Sequence, residues 1–339
     1  MTNRREFVKR SVLAGAGLSA ASYVFPAHAN QEKELKAGII GLDTSHSPAF
    51  TKLINDPQNP KMQGVKVAYA YPFGSKRIEA SASRIPKYIE DVKALGVQVL
   101  DSLEEVVKAS DVLLLETNDG TLHVEQFLSI VKSKKPVFID KPVAAKLSDV
   151  IKIYDLAKQN GVPIFSSSSL RYMEGAQKVR YQNAVGKVTG AEAYSPQHIE
   201  PMHTDLFWYG IHGVEILYTI MGPGCEQVRR MTGPEQDIVI GKWKDGRIGT
   251  YRGDVSGRQF YGGTAYGTER VLSVGPFDGY HALVEVSVQF FKDRKSPVDD
   301  QETIELYTFM EAADVSKNRS GEWVNLQEVF ALASMEAKK

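Results

Sequence analysis

Short apolar runs alternate with amphipathic segments along the first half of the chain. The apolar runs cover residues 36–42, 65–71, 97–100, 111–116, 136–139 and 162–166. Between them apolar positions recur every three or four residues, which predicts helices over 47–55, 76–95, 122–132 and 148–160, and a further helix that opens at 102. Strands that are apolar on both faces are typical of parallel sheets covered by helices. Residues 36–165 therefore predict a doubly wound parallel sheet of the Rossmann type.

Local signals sharpen some of these helix ends. Ser102 and Glu105 have the spacing of a capping box, Ser148 is placed to cap a helix, and Gly161 is placed to stop it. Pro86 interrupts the segment 76–95.

The pattern changes after about residue 171. Helices are expected over 174–184 and 205–221, and strands over 188–194, 227–232, 238–243, 248–252, 268–274 and 280–291. The turn at residues 244–247, which contains Asp245-Gly246, indicates a hairpin. A turn at 319–322 precedes a last strand and a short terminal helix. Residues 166–330 therefore predict an α/β domain with an open, mostly antiparallel sheet.

Composition limits the function classes. The 339 residues exceed what one compact core usually fills, which agrees with two domains. Lys plus Arg and Asp plus Glu each number 41, so no basic excess points to a nucleic-acid partner. A single Cys excludes an internal disulfide and a cysteine-rich zinc site.

The first 29 residues have the features of an export signal. Arg4, Arg5, Lys9 and Arg10 precede a run of small and apolar residues, and Ala27-His28-Ala29 fits a cleavage site. The segment around Arg4-Arg5 resembles a twin-arginine signal. The alternative, an uncleaved amphipathic anchor, fits the weak hydrophobicity less well. We expect export by the twin-arginine machinery, a periplasmic protein, and no membrane association after cleavage.

Three segments resemble the Gfo/Idh/MocA family of glucose–fructose oxidoreductase and inositol dehydrogenase. They are 137–144, with Asp140-Lys141-Pro142 after a strand; 116–125, with Thr117, Asn118 and His123; and 296–321 near the C-terminus. The resemblance implies NAD or NADP as cofactor, a sugar or polyol substrate, and a homo-oligomer formed through the open sheet. It places Thr117, Asn118, His123 and Asp140 at the cofactor, and Lys141 beside the nicotinamide, bonded to the reacting oxygen.

A second candidate site follows residue 205. His212 matches a histidine of the family's substrate helix and can accept a proton near neutral pH. Helical spacing puts Trp208, His212 and Glu215 on one face. The family's aspartate is replaced by Trp208, for which Asp205 is a weak substitute. We assign Lys141 and His212 to catalysis, and to substrate binding Arg171, Asp205, Trp208 and Tyr209.

The phosphate-binding loop departs from the expected G-x-G-x-x-G. In residues 41–46 only Gly41 remains, and Asp43 stands at the second glycine. A carboxylate there repels a diphosphate unless the chain is rerouted or Asp43 binds something else. Thr44, Ser45 and His46 are candidate phosphate contacts.

The acid that normally holds the adenosine ribose is also missing after the second strand. Ser75, Lys76 and Arg77 stand there instead and suit a 2′-phosphate, which favours NADP over NAD. An equally good interpretation is that Lys76 and Arg77 begin a solvated helix.

Three functions remain open from the sequence. The leading one is an NAD(P)-dependent oxidoreductase acting on a sugar or polyol. The alternatives are a non-redox carbohydrate lyase, hydrolase or epimerase on the same fold, and a non-catalytic sugar-binding protein. No metal is expected, because the acidic and histidine candidates are spaced unlike a compact ligand motif; they are Asp43, His46, His198, His203, His212 and Glu215.

Overall fold

The computed structural model describes residues 33–339, of which 34–339 form one compact unit. The predicted export signal, residues 1–29, lies outside the described residues. No helix in the described part is long and apolar enough to cross a membrane.

The first half forms a six-stranded parallel sheet in the order β3-β2-β1-β4-β5-β6. The strands are β1 (Leu35–Ile40), β2 (Val65–Tyr71), β3 (Gln98–Val99), β4 (Val112–Leu115), β5 (Val137–Ile139) and β6 (Ile164–Phe165). The connecting helices are α1 (His46–Ile54), α2 (Glu79–Ala82), α3 (Ile85–Ala94), α4 (Leu103–Ala109), α5 (His123–Val131) and α6 (Leu147–Asn160). The predicted α/β class with a parallel sheet is confirmed, and the observed strand order is that of a doubly wound sheet.

The helix ends show which local signals hold. Ser102 caps α4 by accepting the N–H of Glu105, and Gly161 ends α6 in the left-handed conformation with φ of 63°. The predicted Ser148 cap is wrong, since α6 begins at Leu147 and Ser148 is buried inside its first turn. The predicted helix 76–95 is interrupted near Pro86, which lies in the first turn of α3. Proline is tolerated there because the N–H groups of a first turn have no partner within the helix.

A seven-stranded sheet forms the second half, in the order β12-β11-β7-β10-β9-β8-β13. Its strands are β7 (Val188–Pro196), β8 (Cys225–Thr232), β9 (Gln236–Trp243), β10 (Ile248–Asp254), β11 (Gly262–Gly267), β12 (Val271–Val274) and β13 (Val324–Asn325). All neighbouring strands are antiparallel except β10 and β7, as the sequence predicts for a mostly antiparallel sheet. Gly246, with φ of 86°, makes the predicted hairpin turn between β9 and β10.

The helices of the second half are α7 (Glu174–Gln182), α8 (Asp205–Trp208), α9 (Ile211–Met221), α10 (His281–Asp293), α11 (Asp300–Asn318) and α12 (Leu326–Ala337). The predicted strand over 280–291 is wrong, because it is α10. Its alternating Val-Glu-Val-Ser-Val imitates a strand, but the buried residues, among them Val284, Val288 and Phe291, follow the helical period. The predicted strand 268–274 shortens to β12, and the predicted helix 205–221 is two helices, α8 and α9. Strand β11 and helix α11 were missed.

Helix α10 returns to the first sheet. Its Phe290 packs against Phe165 of β6, which in turn contacts Phe138 of β5. Because a late helix covers an early sheet, residues 34–339 bury their cores as one body. The boundary near residue 165 stays a prediction. What matters for function is that the loops after β1, β4, β5 and β6 meet the segment 197–212 at one edge of the first sheet.

Candidate active site

A cavity of about 310 Å³ lies at the carboxyl edge of the first sheet. In a doubly wound sheet this is the edge where ligands bind. The lining residues come from both halves of the chain: Thr44, Ser45, His46, Ala80, Arg84, Asn118, Lys141, Ser169, Leu170, His198, Trp208, Tyr209, His212, Tyr261, Phe277 and Tyr280. The lining contains cationic and aromatic side chains and no carboxylate.

Lys141 and His212, the two predicted catalytic residues, line this cavity together. Lys141 is the second residue after β5, and its backbone N–H donates to the Asp140 carboxylate at 2.8 Å. Its ammonium lies 5.8 Å from the centre of the Tyr209 ring and makes no salt bridge in the described part of the chain. The side chain is 8% exposed, so the charge is held in a nearly closed space.

The imidazole of His212 is fixed at one nitrogen. Nδ1 lies 2.7 Å from Ser168 Oγ, and the ring packs edge-on against Tyr209 and Tyr261. This leaves Nε2 for a ligand in the cavity. Burial, together with the nearby Lys141 charge, holds the pKa of His212 well below its usual range. His212 is therefore a neutral proton acceptor at physiological pH.

Aromatic rings form the wall on the second-domain side. Trp208 and Tyr209 come from the end of α8, and Tyr261, Phe277 and Tyr280 come from the segments around β11 and α10. The break between α8 and α9 separates Trp208 from the helix of His212 and Glu215, so the predicted common helix face is wrong, although Trp208 and His212 still line the same space. Glu215 lies outside the lining. Flat apolar rings beside a few polar groups suit the C–H faces of a ring-shaped polyol.

The phosphate-loop substitution at Asp43 is accommodated by turning the carboxylate inward. Its oxygens accept the N–H groups of Asn118 (2.9 Å) and Ser75 (3.2 Å), and the residue is fully buried. Burial raises the pKa of Asp43 to about 6, and the two N–H donors oppose that shift. Asp43 thus ties together the loops after β1, β2 and β4, and its carboxylate does not face the cavity.

Gly41 keeps the role that its position predicts. Its φ is 101°, and a Cβ there would lie 2.4 Å from the Thr117 backbone nitrogen, so no side chain fits. The chain then turns so that Thr44, Ser45 and His46 at the start of α1 line the cavity. A helix N-terminus is favourable for an anion.

Two more acids lie buried behind these loops. Asp140 is 2.7 Å from His46 Nδ1; burial opposes its ionisation, but the charges of His46 and Lys141 outweigh burial and lower its pKa. Glu116 is fully buried, and neither of its carboxylate oxygens has a hydrogen-bond partner in the described chain, since Ser47 Oγ donates to the Gly41 carbonyl instead. Burial, with the nearby Asp140 carboxylate, raises the pKa of Glu116 well above its ordinary value.

These features fit a dinucleotide. Asp43, Glu116 and Asp140 are all buried and none of them lines the cavity, whereas the start of α1 does. Arg84 also lines the cavity, and it makes no salt bridge among residues 33–339. Thr44, Ser45, His46, Arg84 and Asn118 are thus the residues that could hold the diphosphate side of a nicotinamide cofactor.

The predicted 2′-phosphate residues lie outside the cavity lining. Ser75 Oγ donates to the Asp119 carboxylate (2.7 Å), and Arg77 donates to the same oxygen (3.2 Å) and to Thr121 Oγ1 (2.6 Å). Lys76 is exposed. Burial opposes ionisation of Asp119, but hydrogen bonds from Thr121 and Ser75 outweigh it and lower its pKa.

Four other candidates hold the fold and do not line the cavity. His123 lies between the carbonyls of Thr117 (2.6 Å) and Val143 (3.0 Å), so it and Thr117 fix the main chain around Lys141. Arg171 is buried and paired with Glu215 and Glu302. Asp205 pairs with Arg230 (3.0 Å) and Lys317 (2.6 Å) and lies outside the cavity lining.

Several lining residues were missed from the sequence, chiefly Arg84, Tyr261, Phe277 and Tyr280. They lie in loops or in misassigned elements, so no strand-end signal points to them. His203, which the sequence offered only as a weak metal candidate, is buried under Trp208, and its Nε2 accepts the Gly120 N–H at 3.0 Å. Burial lowers the pKa of His203 to about 4. Within residues 33–339, no three His, Cys, Asp or Glu side chains converge as a metal ion requires.

Comparison with known proteins agrees with this geometry. Residues 9–168 match the model of the GFO_IDH_MocA oxidoreductase family with its NAD-binding Rossmann fold. An inositol 2-dehydrogenase of Cereibacter sphaeroides is 28% identical over 130 residues, which cover 38% of this chain. That match spans about a third of the relative's length, 34%.

Solved structures share the fold over most of the chain. The myo-inositol dehydrogenase of Lactobacillus casei, in complex with NAD(H) and myo-inositol, has a TM-score of 0.68 at 13% identity, covering 86% of this chain and 96% of that one. The myo-inositol 2-dehydrogenase of Lactobacillus plantarum has a TM-score of 0.70 at 17% identity, covering 86% and 99%. The N-terminal part of the chain is therefore similar to the Gfo/Idh/MocA family of NAD-binding oxidoreductases, and residues 34–339 share the fold of these dehydrogenases.

Proposed function

We propose that the protein is a nicotinamide-dependent oxidoreductase that acts on a secondary hydroxyl of a sugar or cyclic polyol. The observation that carries this proposal is the convergence of Lys141 and His212 on one cavity, beside the start of α1 and under an aromatic wall. The sugar or polyol class rests on that wall and on the inositol dehydrogenases among the relatives and structural neighbours.

The two polar side chains divide the work on the hydroxyl. Lys141 donates a hydrogen bond to the reacting oxygen, and its positive charge stabilises the negative charge that develops there. With Nδ1 donating to Ser168 Oγ, Nε2 of His212 accepts the hydroxyl proton. A bound nicotinamide ring supplies the hydride acceptor. The aromatic wall orients the substrate ring and excludes water.

A binding and turnover experiment tests this function. Purified protein is titrated with NADH and NADPH by nucleotide fluorescence, and then assayed with inositols and sugars while absorbance at 340 nm is followed. We expect nucleotide binding and reduction of NAD or NADP by at least one polyol. Binding of neither nucleotide would refute the proposal. Conversion of a sugar with no net absorbance change would favour the lyase or epimerase alternative.

We propose that the mature protein acts in the periplasm after twin-arginine export. The support is the basic pair Arg4-Arg5 and the small-residue segment up to Ala29. Cell fractionation with N-terminal mass determination tests it. We expect a periplasmic protein that begins near residue 30, and retention in the cytoplasm when both arginines become lysine. Export that survives this double substitution would exclude the twin-arginine route.

We propose, third, that two copies associate through the open face of the second sheet. The strand registers place one residue from each of five neighbouring strands in a row: Val271, Tyr266, Gly190, Ile248 and Lys242. Val271 is 60% and Ile248 54% exposed. Exposed large apolar side chains on neighbouring strands of one sheet are typical of an interface. Light scattering should show an oligomer that Ile248→Glu dissociates; a wild-type monomer at micromolar concentration would contradict this.

A further inference from the structure

The loop that follows β2 decides which nucleotide a doubly wound sheet prefers. An acidic side chain there binds the ribose 2′-hydroxyl of NAD, whereas cationic and hydroxyl side chains accommodate the 2′-phosphate of NADP. Residues 72–77 of this chain contain no acid and do contain Ser75, Lys76 and Arg77. The sequence of this loop taken alone therefore favours NADP.

The structure supplies the missing carboxylate from another loop. Asp119 follows β4, and its Oδ2 accepts both Ser75 Oγ (2.7 Å) and the Arg77 guanidinium (3.2 Å). The Asp119 side chain is fully buried. Its other oxygen caps the turn at Thr121, accepting the backbone N–H at 3.0 Å and the hydroxyl at 2.6 Å. The two groups that would recruit a 2′-phosphate are thus already bound to a carboxylate.

We propose that Asp119 makes this protein selective for NAD over NADP by neutralising Arg77 and occupying Ser75. This inference rests on the proposed function, because it concerns the nucleotide of that same site. A 2′-phosphate brings up to two negative charges, and placing them beside Asp119 is repulsive. Recruiting Arg77 to the phosphate would leave a buried carboxylate without its cation, which is strongly unfavourable.

The other charged groups near Asp119 do not change this balance. His203 Nε2 is 3.9 Å from Oδ1, but it already accepts the Gly120 N–H and so cannot donate to the carboxylate. Lys76 is exposed, and a single flexible ammonium at the surface contributes little to binding. Arg77 is therefore the cation that decides how a 2′-phosphate is received.

The test measures dissociation constants of NADH and NADPH by fluorescence titration of the full mature chain. We expect wild-type protein to bind NADH at least about tenfold more tightly than NADPH. Asp119→Asn should reduce this preference by about tenfold or more, mainly through tighter NADPH binding. Asparagine still caps the turn at Thr121, and a thermal melt confirms that the variant is folded. Asp155→Asn, the same charge change at an exposed position of α6, should leave both constants unchanged.

Arg77→Gln provides the second variant. By itself it should change both constants by less than about threefold, because Arg77 is engaged by Asp119; combined with Asp119→Asn it should abolish the gain in NADPH affinity. A wild type that binds NADPH as tightly as NADH, or an Arg77→Gln variant that loses NADPH binding tenfold, would overturn the inference while leaving the proposed function intact. Binding of neither nucleotide would overturn both.

Discussion

The two sides of the cavity differ in how completely their buried acids are paired with cations. Behind the second-domain side, Arg171 is paired with Glu215 and Glu302, and Glu302 also binds Arg180 at 2.5 Å. Behind the first-domain side, Glu116 has no hydrogen-bond partner in the described chain. On the first side only some buried acids have a cationic partner, as Asp119 has Arg77, whereas on the second side Glu215 and Glu302 both have one.

The difference reflects two roles: the paired charges of the second side stabilise the fold, and the buried acids of the first side determine which groups face a ligand. The paired cluster around Arg171 cross-links the turn before α7, the last turn of α7, and helices α9 and α11, and none of its side chains lines the cavity. The acids of the first side are turned inward, so that the lining presents only neutral and cationic groups to a ligand. We infer that the first side gives up stability to remain suitable for an anionic cofactor, as functional sites commonly do.

The largest expected effect concerns Lys141, a lining cation that makes no salt bridge in the described part of the chain. Lys141→Met should lower kcat by about 10²–10⁴-fold, because the reacting oxygen loses its hydrogen bond and its stabilising charge. The NADH dissociation constant should change less than about threefold. Steady-state kinetics and fluorescence titration measure both; a kcat within tenfold of wild type would remove Lys141 from the chemistry.

His212 tests the opposite side of the cavity. His212→Asn should lower kcat by about 10²–10³-fold, and Ser168→Ala, which removes only the partner of Nδ1, by roughly tenfold. Burial holds the pKa of His212 well below 6.5, so the neutral form persists as pH falls from 8 to 6 and kcat should not drop from its protonation. A kcat that halves near pH 6.5 in wild type but not in His212→Asn would contradict this.

Glu116→Gln sharpens the comparison of buried acids. A raised pKa in the folded state stabilises the protein at low pH, and this contribution is lost as pH rises from the unfolded value near 4.5 toward the folded one. The substitution should therefore raise the free energy of unfolding by about 1–3 kcal/mol at pH 8 and by much less at pH 5. Urea unfolding at both values measures it. Glu125→Gln, at an exposed position, is the control and should change the free energy of unfolding by less than about 0.5 kcal/mol. Equal effects of the two substitutions would show that burial of the Glu116 carboxylate does not destabilise the protein.

The smallest effect is expected at the aromatic wall. Trp208→Leu should raise KM for the polyol by about five- to tenfold through lost stacking, with kcat changed less than about threefold. Trp323→Leu, at a half-exposed position outside the cavity lining, is the matched control and should leave KM unchanged. An unchanged KM in Trp208→Leu would mean that this ring does not contact the substrate.

Elements with a strong period and local end signals were predictable. The parallel strands, α4 with its Ser102 cap and the hairpin at Gly246 follow from short-range chemistry. Helix α10 was not predictable in this way. Its alternating valines fit the period of a strand, and the same segment also fits a helix that packs against Phe165. Packing against the first sheet, which α10 covers, favours the helix over the strand.

The sequence by itself determined the first domain's parallel sheet and its resemblance to a dinucleotide-binding family, and it singled out Lys141 and His212. Those features depend on residues that are close together in the sequence, such as the apolar pattern of a strand and the polar residues that follow it. Only the tertiary structure decided where the carboxylates point. Asp43 faces inward because distant loops offer it N–H donors, and Asp119 acts on the β2 loop because β2 and β4 flank the same central strand, β1. Hydrogen bonds between residues far apart in the sequence produce no periodic pattern along it, so the sequence alone does not reveal them.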